Sequence, residues 1–91
     1  MAMTTINGSG SGAGTVTLQP APGEEWNITL NLITEADPFY LEDSNGVRCG
    51  KCEAGGIPTW TFVLTNSYYL NVLKTENEHS YVYTGFKRVI G

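Results

Sequence analysis

The 91-residue sequence predicts an all-β domain, a small antiparallel β-sandwich or barrel of six to eight short strands preceded by a flexible N-terminal arm. Three observations carry this. From Glu25 to Leu32 apolar and polar residues alternate, with Trp26, Ile28, Leu30 and Leu32 on one side of an extended chain and Glu25, Asn27, Thr29 and Asn31 on the other. Further runs rich in Val, Ile, Thr and aromatic residues follow, separated by turn-forming clusters at roughly 8–12-residue intervals. No long stretch repeats its apolar residues at the helical period.

Residues 1–14 contain Thr4-Thr5-Ile6-Asn7-Gly8-Ser9-Gly10-Ser11-Gly12-Ala13-Gly14, with almost nothing apolar after Ile6. Such composition reads as a flexible arm, either an unstructured tail or a segment that orders on a neighbouring subunit. Residues 15–91 form the β-domain. Thr15-Val16-Thr17-Leu18-Gln19 alternates as a first strand, and Pro20-Ala21-Pro22-Gly23 stops it at a stiff corner. The main strand then runs as far as Ile33, and Thr34-Glu35-Ala36-Asp37-Pro38 breaks it. Phe39-Tyr40-Leu41 is a short strand that turns at Asn45-Gly46, a strong hairpin signal, so that Val47 to Cys52 returns along it. A loop over 53–58 leads to Thr59–Thr65, where Trp60, Phe62 and Leu64 alternate with threonines and Val63. Trp26 and Trp60 each lead an apolar face, which suggests two strands facing one another across the sandwich. Asn66-Ser67 turns into Tyr68–Lys74, with Tyr68, Leu70 and Val72 on one face. The polar 75–79 stretch reads as a hairpin turn before the final strand, Tyr81 to Ile90.

Composition narrows the function classes. With under eighty residues left for the fold, the core is small, and oligomerisation is a physical expectation. A formal charge of −4 and only five Lys and Arg argue against nucleic acid and anionic lipid as partners. No apolar run approaches the roughly 20 residues of a membrane span, and no secretory leader pattern opens the chain, so synthesis in a cytoplasm is expected.

Few residues carry recognisable chemistry. Cys49-Gly50-Lys51-Cys52 has the CxxC spacing of zinc and thiol redox sites, but His79 is the sole further N/S ligand, and an all-β chain lacks the helix N-terminus that activates such thiols. Two reduced thiols, or a Cys49–Cys52 disulfide across a tight turn, are the expected states. His79, in a charged turn beside Glu78, reads as solvated. Asp43-Ser44-Asn45-Gly46 lacks most ligands of a calcium loop. Asn7-Gly8-Ser9 and Asn27-Ile28-Thr29 match the glycosylation sequon without a leader to deliver them. No catalytic constellation, metal site or cofactor site is expected. The aromatic residues are numerous, and alternation leaves one set for a contact surface, since aromatic residues are enriched at interfaces. Tyr69, Tyr81 and Tyr83, with Thr4, Thr5 and Ile6 of the arm, are the expected interface residues.

Three stretches together resemble a class of short tailed-phage virion proteins: Pro20-Ala21-Pro22-Gly23-Glu24-Glu25-Trp26-Asn27-Ile28, then Leu64-Thr65-Asn66-Ser67-Tyr68-Tyr69-Leu70-Asn71-Val72, then Tyr83-Thr84-Gly85. That class pairs a P-x-x-G-E-x-W-x-I strand with a T-N-S-x-Y-L-x-V hairpin and a terminal Y-x-G strand; the similarity spans Thr15 to Arg88. It implies a non-enzymatic head decoration or cement protein, a homo-oligomer (a trimer) bound to the major capsid protein at the virion surface. The Cys49/Cys52 pair departs from the class pattern. Two other readings are a carbohydrate- or receptor-binding module of a phage tail, stacking sugars on Tyr69 or Tyr81, and a Cys-based metal-binding protein.

Overall fold

A computed structural model describes residues 3–90 as eight strands and no helix. They are β1 (Met3–Ser11), β2 (Gly14–Leu18), β3 (Glu24–Ile33), β4 (Phe39–Asp43), β5 (Arg48–Cys52), β6 (Thr59–Thr65), β7 (Leu70–Lys74) and β8 (Ser80–Val89). Two four-stranded antiparallel sheets form, with orders β1-β8-β3-β6 (sheet A) and β2-β7-β4-β5 (sheet B). The expected antiparallel sandwich is what the chain builds, and its strand order is that of an eight-stranded jelly roll. Successive strands change sheet at every connection except the β4–β5 hairpin.

The core is the meeting of the two inner faces. Ile28, Leu30 and Leu32 of β3 and Leu64 of β6 pack on Leu18, Phe39, Leu41, Cys52, Leu70 and Val72 from sheet B, all buried. Half-buried Ile6, Val16, Trp26, Trp60, Phe62, Tyr81 and Tyr83 rim this cluster. Period-two alternation puts them there: the register pairs Leu30 with Tyr83 on one side and Trp60 on the other, so one rank of inward residues crosses three strands.

Within the segment expected as a flexible arm, residues 1–14, Met3–Ser11 form the nine-residue edge strand β1, paired with β8 from Met3↔Arg88 to Ser11↔Ser80; residues 1 and 2 lie outside the described residues. Its glycines fit the partner. Gly8 lies opposite Tyr83 and Gly10 opposite Tyr81, and a Cβ at either position would sit 2.6 Å and 2.8 Å from a tyrosine ring carbon. The two tyrosines stack on one another with centroids 6.4 Å apart and roof these positions. Composition alone suggests a linker, but each missing side chain is replaced by an aromatic ring from the neighbouring strand.

Two other expectations change. Trp26 and Trp60 do not face each other across the sandwich, because β3 and β6 are neighbours in sheet A. The 75–79 turn is not a hairpin, because β7 and β8 belong to different sheets; it is a corner between them.

His79 lies in that corner and is fully buried rather than solvated. Its Nδ1 accepts hydrogen bonds from the Thr75 and Glu76 amides at 2.9 and 3.2 Å, so Nε2 carries the proton and donates to the Asp37 carbonyl at 2.6 Å. The ring stacks on Phe39 at 4.3 Å, and the His79 carbonyl accepts from the Gly12 amide at 3.0 Å. One side chain thus ties the β7–β8 corner to the β3–β4 corner, while its backbone holds the end of β1.

At the opposite end, Glu24 braces the proline corner. Its carboxylate accepts from the Ala21 amide at 3.3 Å and the Trp26 indole at 3.4 Å, and Lys87 Nζ lies 3.5 Å away. Desolvation pushes this carboxyl up, but the Trp26 and Ala21 hydrogen bonds and the Lys87 charge outweigh it, and the net position is below the ordinary 4.5. A carboxyl lowered by folding stabilises above its unfolded value and loses that contribution as pH falls through the folded one. Melting temperatures measured from about pH 7 to about pH 3 are therefore expected to show a constant gap between wild type and Glu24→Gln above pH ~4.5, closing in more acid solution. A gap that widens in acid would contradict this placement.

Candidate interaction surface

The two outer faces of the sandwich differ in charge. On sheet A the register aligns Asn7, Thr84, Thr29 and Thr61 in one rank across β1, β8, β3 and β6. The flanking ranks are Thr5, Phe86, Asn27 and Val63, and Ser9, Val82, Asn31 and Thr59. No residue in these three ranks is charged. Phe86, Val63 and Val82 are 48%, 52% and 42% exposed, scattered among threonine and asparagine side chains. Charge enters only in the next rank, where Arg88 pairs with Glu25 at 2.6 Å and so cancels much of its own field.

Sheet B presents the opposite character. Arg48 stacks its guanidinium 3.7 Å over the Tyr40 ring, Lys51 reaches Glu53 at 2.8 Å, and Glu42 lies opposite Arg48. Thr17 donates to Asn71 at 2.7 Å on the same side. Arg48 with Tyr40, Lys51 with Glu53 and Thr17 with Asn71 are thus already paired. Depletion of charge, with apolar residues kept exposed, is the compositional mark of a protein contact surface, and it belongs to sheet A alone.

The edges of the sheets differ likewise. Sheet B ends at β5, which carries Arg48 and Lys51 and a bulge at Cys49, and at β2, which is short and closed by Pro20. Charges, bulges and short lengths are the devices that stop strands from adding to an edge. Sheet A ends at β1 (MTTINGSGS) and β6 (TWTFVLT), which have no charge, proline or register shift.

The structure redistributes the expected site residues. Tyr81 and Tyr83 face inward, because alternation along β8 assigns the outer face to Val82, Thr84 and Phe86 instead. Tyr81 is thereby taken from the role of a sugar-stacking platform. Tyr69 is half-buried before β7, and its neighbour Tyr68 is the more exposed ring, its hydroxyl 3.5 Å from Asp43. Thr4, Thr5 and Ile6 all lie on β1: Thr5 belongs to the outer face, and Ile6 packs toward the core. Val82, Thr84 and Phe86 take the outward positions of β8, a strand that carries large residues on both faces, so its sequence does not by itself say which set faces out.

Cys49 and Cys52 are both free, and they sit along strand β5 rather than across a tight turn. Three residues of extended chain span about 10 Å, beyond the ~7 Å that a disulfide bridges. The expected Cys49–Cys52 staple is therefore out of reach. Burial pushes both thiols up, with the Asp43 carboxylate adding to the effect at Cys49, so neither is an activated thiolate. Among the described residues the two cysteines and His79 do not come together, and both ring nitrogens of His79 already have backbone partners. Asp43, the first residue of the weak calcium-loop pattern, uses Oδ1 to accept the Asn45 and Val47 amides and so shapes the hairpin, where Gly46 adopts φ 77°.

No protein-family model matches the chain, and neither a curated protein nor a solved structure matches it significantly. No helix among the described residues is long and apolar enough to cross a membrane.

Proposed function

We propose that this chain is a non-catalytic phage structural protein that decorates a capsid surface as a trimer, with the outer face of sheet A turned toward the major capsid protein. The uncharged ranks of that face, holding Phe86, Val82 and Val63 exposed while sheet B is charged, carry the reading. A repeated lattice suits such a face, because several copies bound together reach tight attachment from modest single contacts. The jelly-roll strand order is compatible with it, since viral capsid and lectin domains share that architecture, although fold alone assigns no role.

Co-sedimentation with purified expanded and mature capsids tests the proposal. Wild type is expected to pellet with one capsid form. Thr84→Lys, which places a charge in the middle of the sheet A face, is expected to weaken binding about tenfold or more, as a desolvated, unpaired charge would. Thr15→Lys, on the outer face of sheet B, is expected to bind as wild type does. Absence of binding to every capsid form, or equal loss in both variants, would sink the reading.

A further inference from the structure

Hydrogen-bond phase shows which backbone groups the β6 edge of sheet A leaves free. The Leu32 amide donates to the Pro58 carbonyl, so Pro58, Trp60, Phe62 and Leu64 turn their backbone groups toward β3. Thr59, Thr61, Val63 and Thr65 turn theirs away from the sheet, because the direction alternates along a strand. The Thr65 amide is already taken, since it donates to the Tyr68 carbonyl at 2.8 Å in the following turn. Thr59, Thr61 and Val63 remain, and among the described residues no strand pairs with that side of β6. Thr61 is the middle one. The free edge is therefore symmetric in spacing about Thr61, and it is uncharged along its length.

Symmetry of that kind decides what can add to the edge. A second copy turned about a two-fold axis normal to the sheet brings its β6 alongside in antiparallel sense, with Thr61 opposite Thr61 of the other copy and Thr59 opposite Val63. Three such pairs, each exchanging both N–H···O bonds, make six backbone hydrogen bonds. The residues between them point to the inner side. There Trp60 falls opposite Phe62 of the other copy, and Phe62 opposite Trp60, at the closer spacing of non-hydrogen-bonded pairs. Both rings are half-buried at the rim of the core, and Trp60 is held over Gly50 of β5, where a Cβ would lie 3.1 Å from the indole. The β1 edge has no such match, because Gly8 and Gly10 stand at its inward positions and a second copy would gain backbone bonds alone. Sheet B does not extend the contact, since its edge strand β5 carries Arg48, Lys51 and a bulge.

We propose that β6 pairs with β6 of a second copy of this chain about a two-fold axis at Thr61, so that sheet A continues across the contact as β1-β8-β3-β6 followed by the same strands in reverse. An isologous contact of this kind closes after two copies. Since the axis is normal to the sheet, both copies turn the uncharged outer face the same way. That face stays open and is doubled in extent. The contact goes beyond the proposed function and stands or falls separately. The trimer proposed there gathers on the capsid, and a two-fold along the face normal joins copies of neighbouring trimers on that lattice. A dimer that ignores capsids would overturn the function and keep the contact; a monomer that binds capsids would do the reverse.

In free solution, light scattering of concentrated wild type is expected to give twice the 9.9 kDa of one chain. Thr61→Lys and Thr61→Glu each set two like charges face to face at the axis. Each alone is expected to weaken dimerisation about tenfold or more, with an unchanged β-sheet circular dichroism spectrum. Mixed, they are expected to form a one-to-one dimer, because opposite charges then meet at the axis. Thr84→Lys, two strands away from the contact, is expected to remain dimeric whether or not it binds capsids. A wild type of one or three chains, a Thr61 variant that dimerises as tightly as wild type, or a mixture that stays monomeric would overturn the pairing. A second measurement needs no variant. Amide exchange of Thr59, Thr61 and Val63 is expected to slow as protein concentration rises, since the second copy supplies their acceptors. Fast exchange of these three at every concentration, or protection that appears instead at Thr5, Asn7 and Ser9, would contradict the β6 contact.

Discussion

Gly85→Ala is expected to abolish the native fold, with a loss of about 4 kcal/mol or more. Gly85 sits in the middle of β8, opposite Ile6 on β1 and Ile28 on β3. A Cβ there would overlap the Asn27 carbonyl oxygen and come within 2.8 Å of Ile28 Cα. Both are backbone atoms of the central strand, so neither can rotate aside as a side chain could. The vacancy also has a use: Trp26 and Tyr83, one rank to either side, stack across it with centroids 6.1 Å apart. Urea unfolding monitored by tryptophan fluorescence measures the effect. A variant within about 1 kcal/mol of wild type would mean that β8 and β3 do not approach so closely.

Starting the chain at Gly12 is expected to cost roughly 3–5 kcal/mol, although the deleted residues are mostly glycine, serine and threonine. Their removal strips the roof partners of Tyr81 and Tyr83, takes Ile6 from the rim of the core and leaves β8 as a new edge. A linker could be cut at no cost, so the same denaturant experiment separates the two descriptions of residues 3–11. A truncated chain as stable as wild type would show that β1 contributes nothing.

The contrast between these two predictions shows what the sequence could and could not disclose. Alternation in Glu25–Leu32 and Thr59–Thr65, the Asn45-Gly46 turn and the proline corner were all legible, because period-two burial and turn stereochemistry are local properties. The first strand was not. Ile6, Gly8 and Gly10 have an inward parity, but glycine carries no hydrophobic signal, and their partners Gly85, Tyr83 and Tyr81 are more than seventy residues away in the chain. Pairing at that separation is a tertiary fact. The same reason displaced His79: its polar neighbours suggested a solvated turn, whereas the ring fills a corner whose other wall, Asp37 and Phe39, comes from a different connection.

The candidate surface was legible only in part. Tyr81, Tyr83 and Ile6, expected in an interface, have the inward parity and pack against the core, since one residue of slip moves every side chain to the other side of a strand. Which sheet lacks charge depends on how four strands distant in sequence line up, and no single strand reveals it. Once the register is known, the uncharged ranks through Thr84 and the two undefended edges appear together, because they are properties of the same sheet.

That sheet exists in its four-stranded form only if residues 3–11 are a strand, so amide hydrogen exchange of the native protein, resolved by residue, tests the account most directly. The amides of Gly8 and Gly10, bonded to β8, are expected to exchange far more slowly than an unstructured glycine-serine chain would. Exchange of Gly8 and Gly10 at the rate of a free linker would contradict the edge strand and the four-strand uncharged face at once.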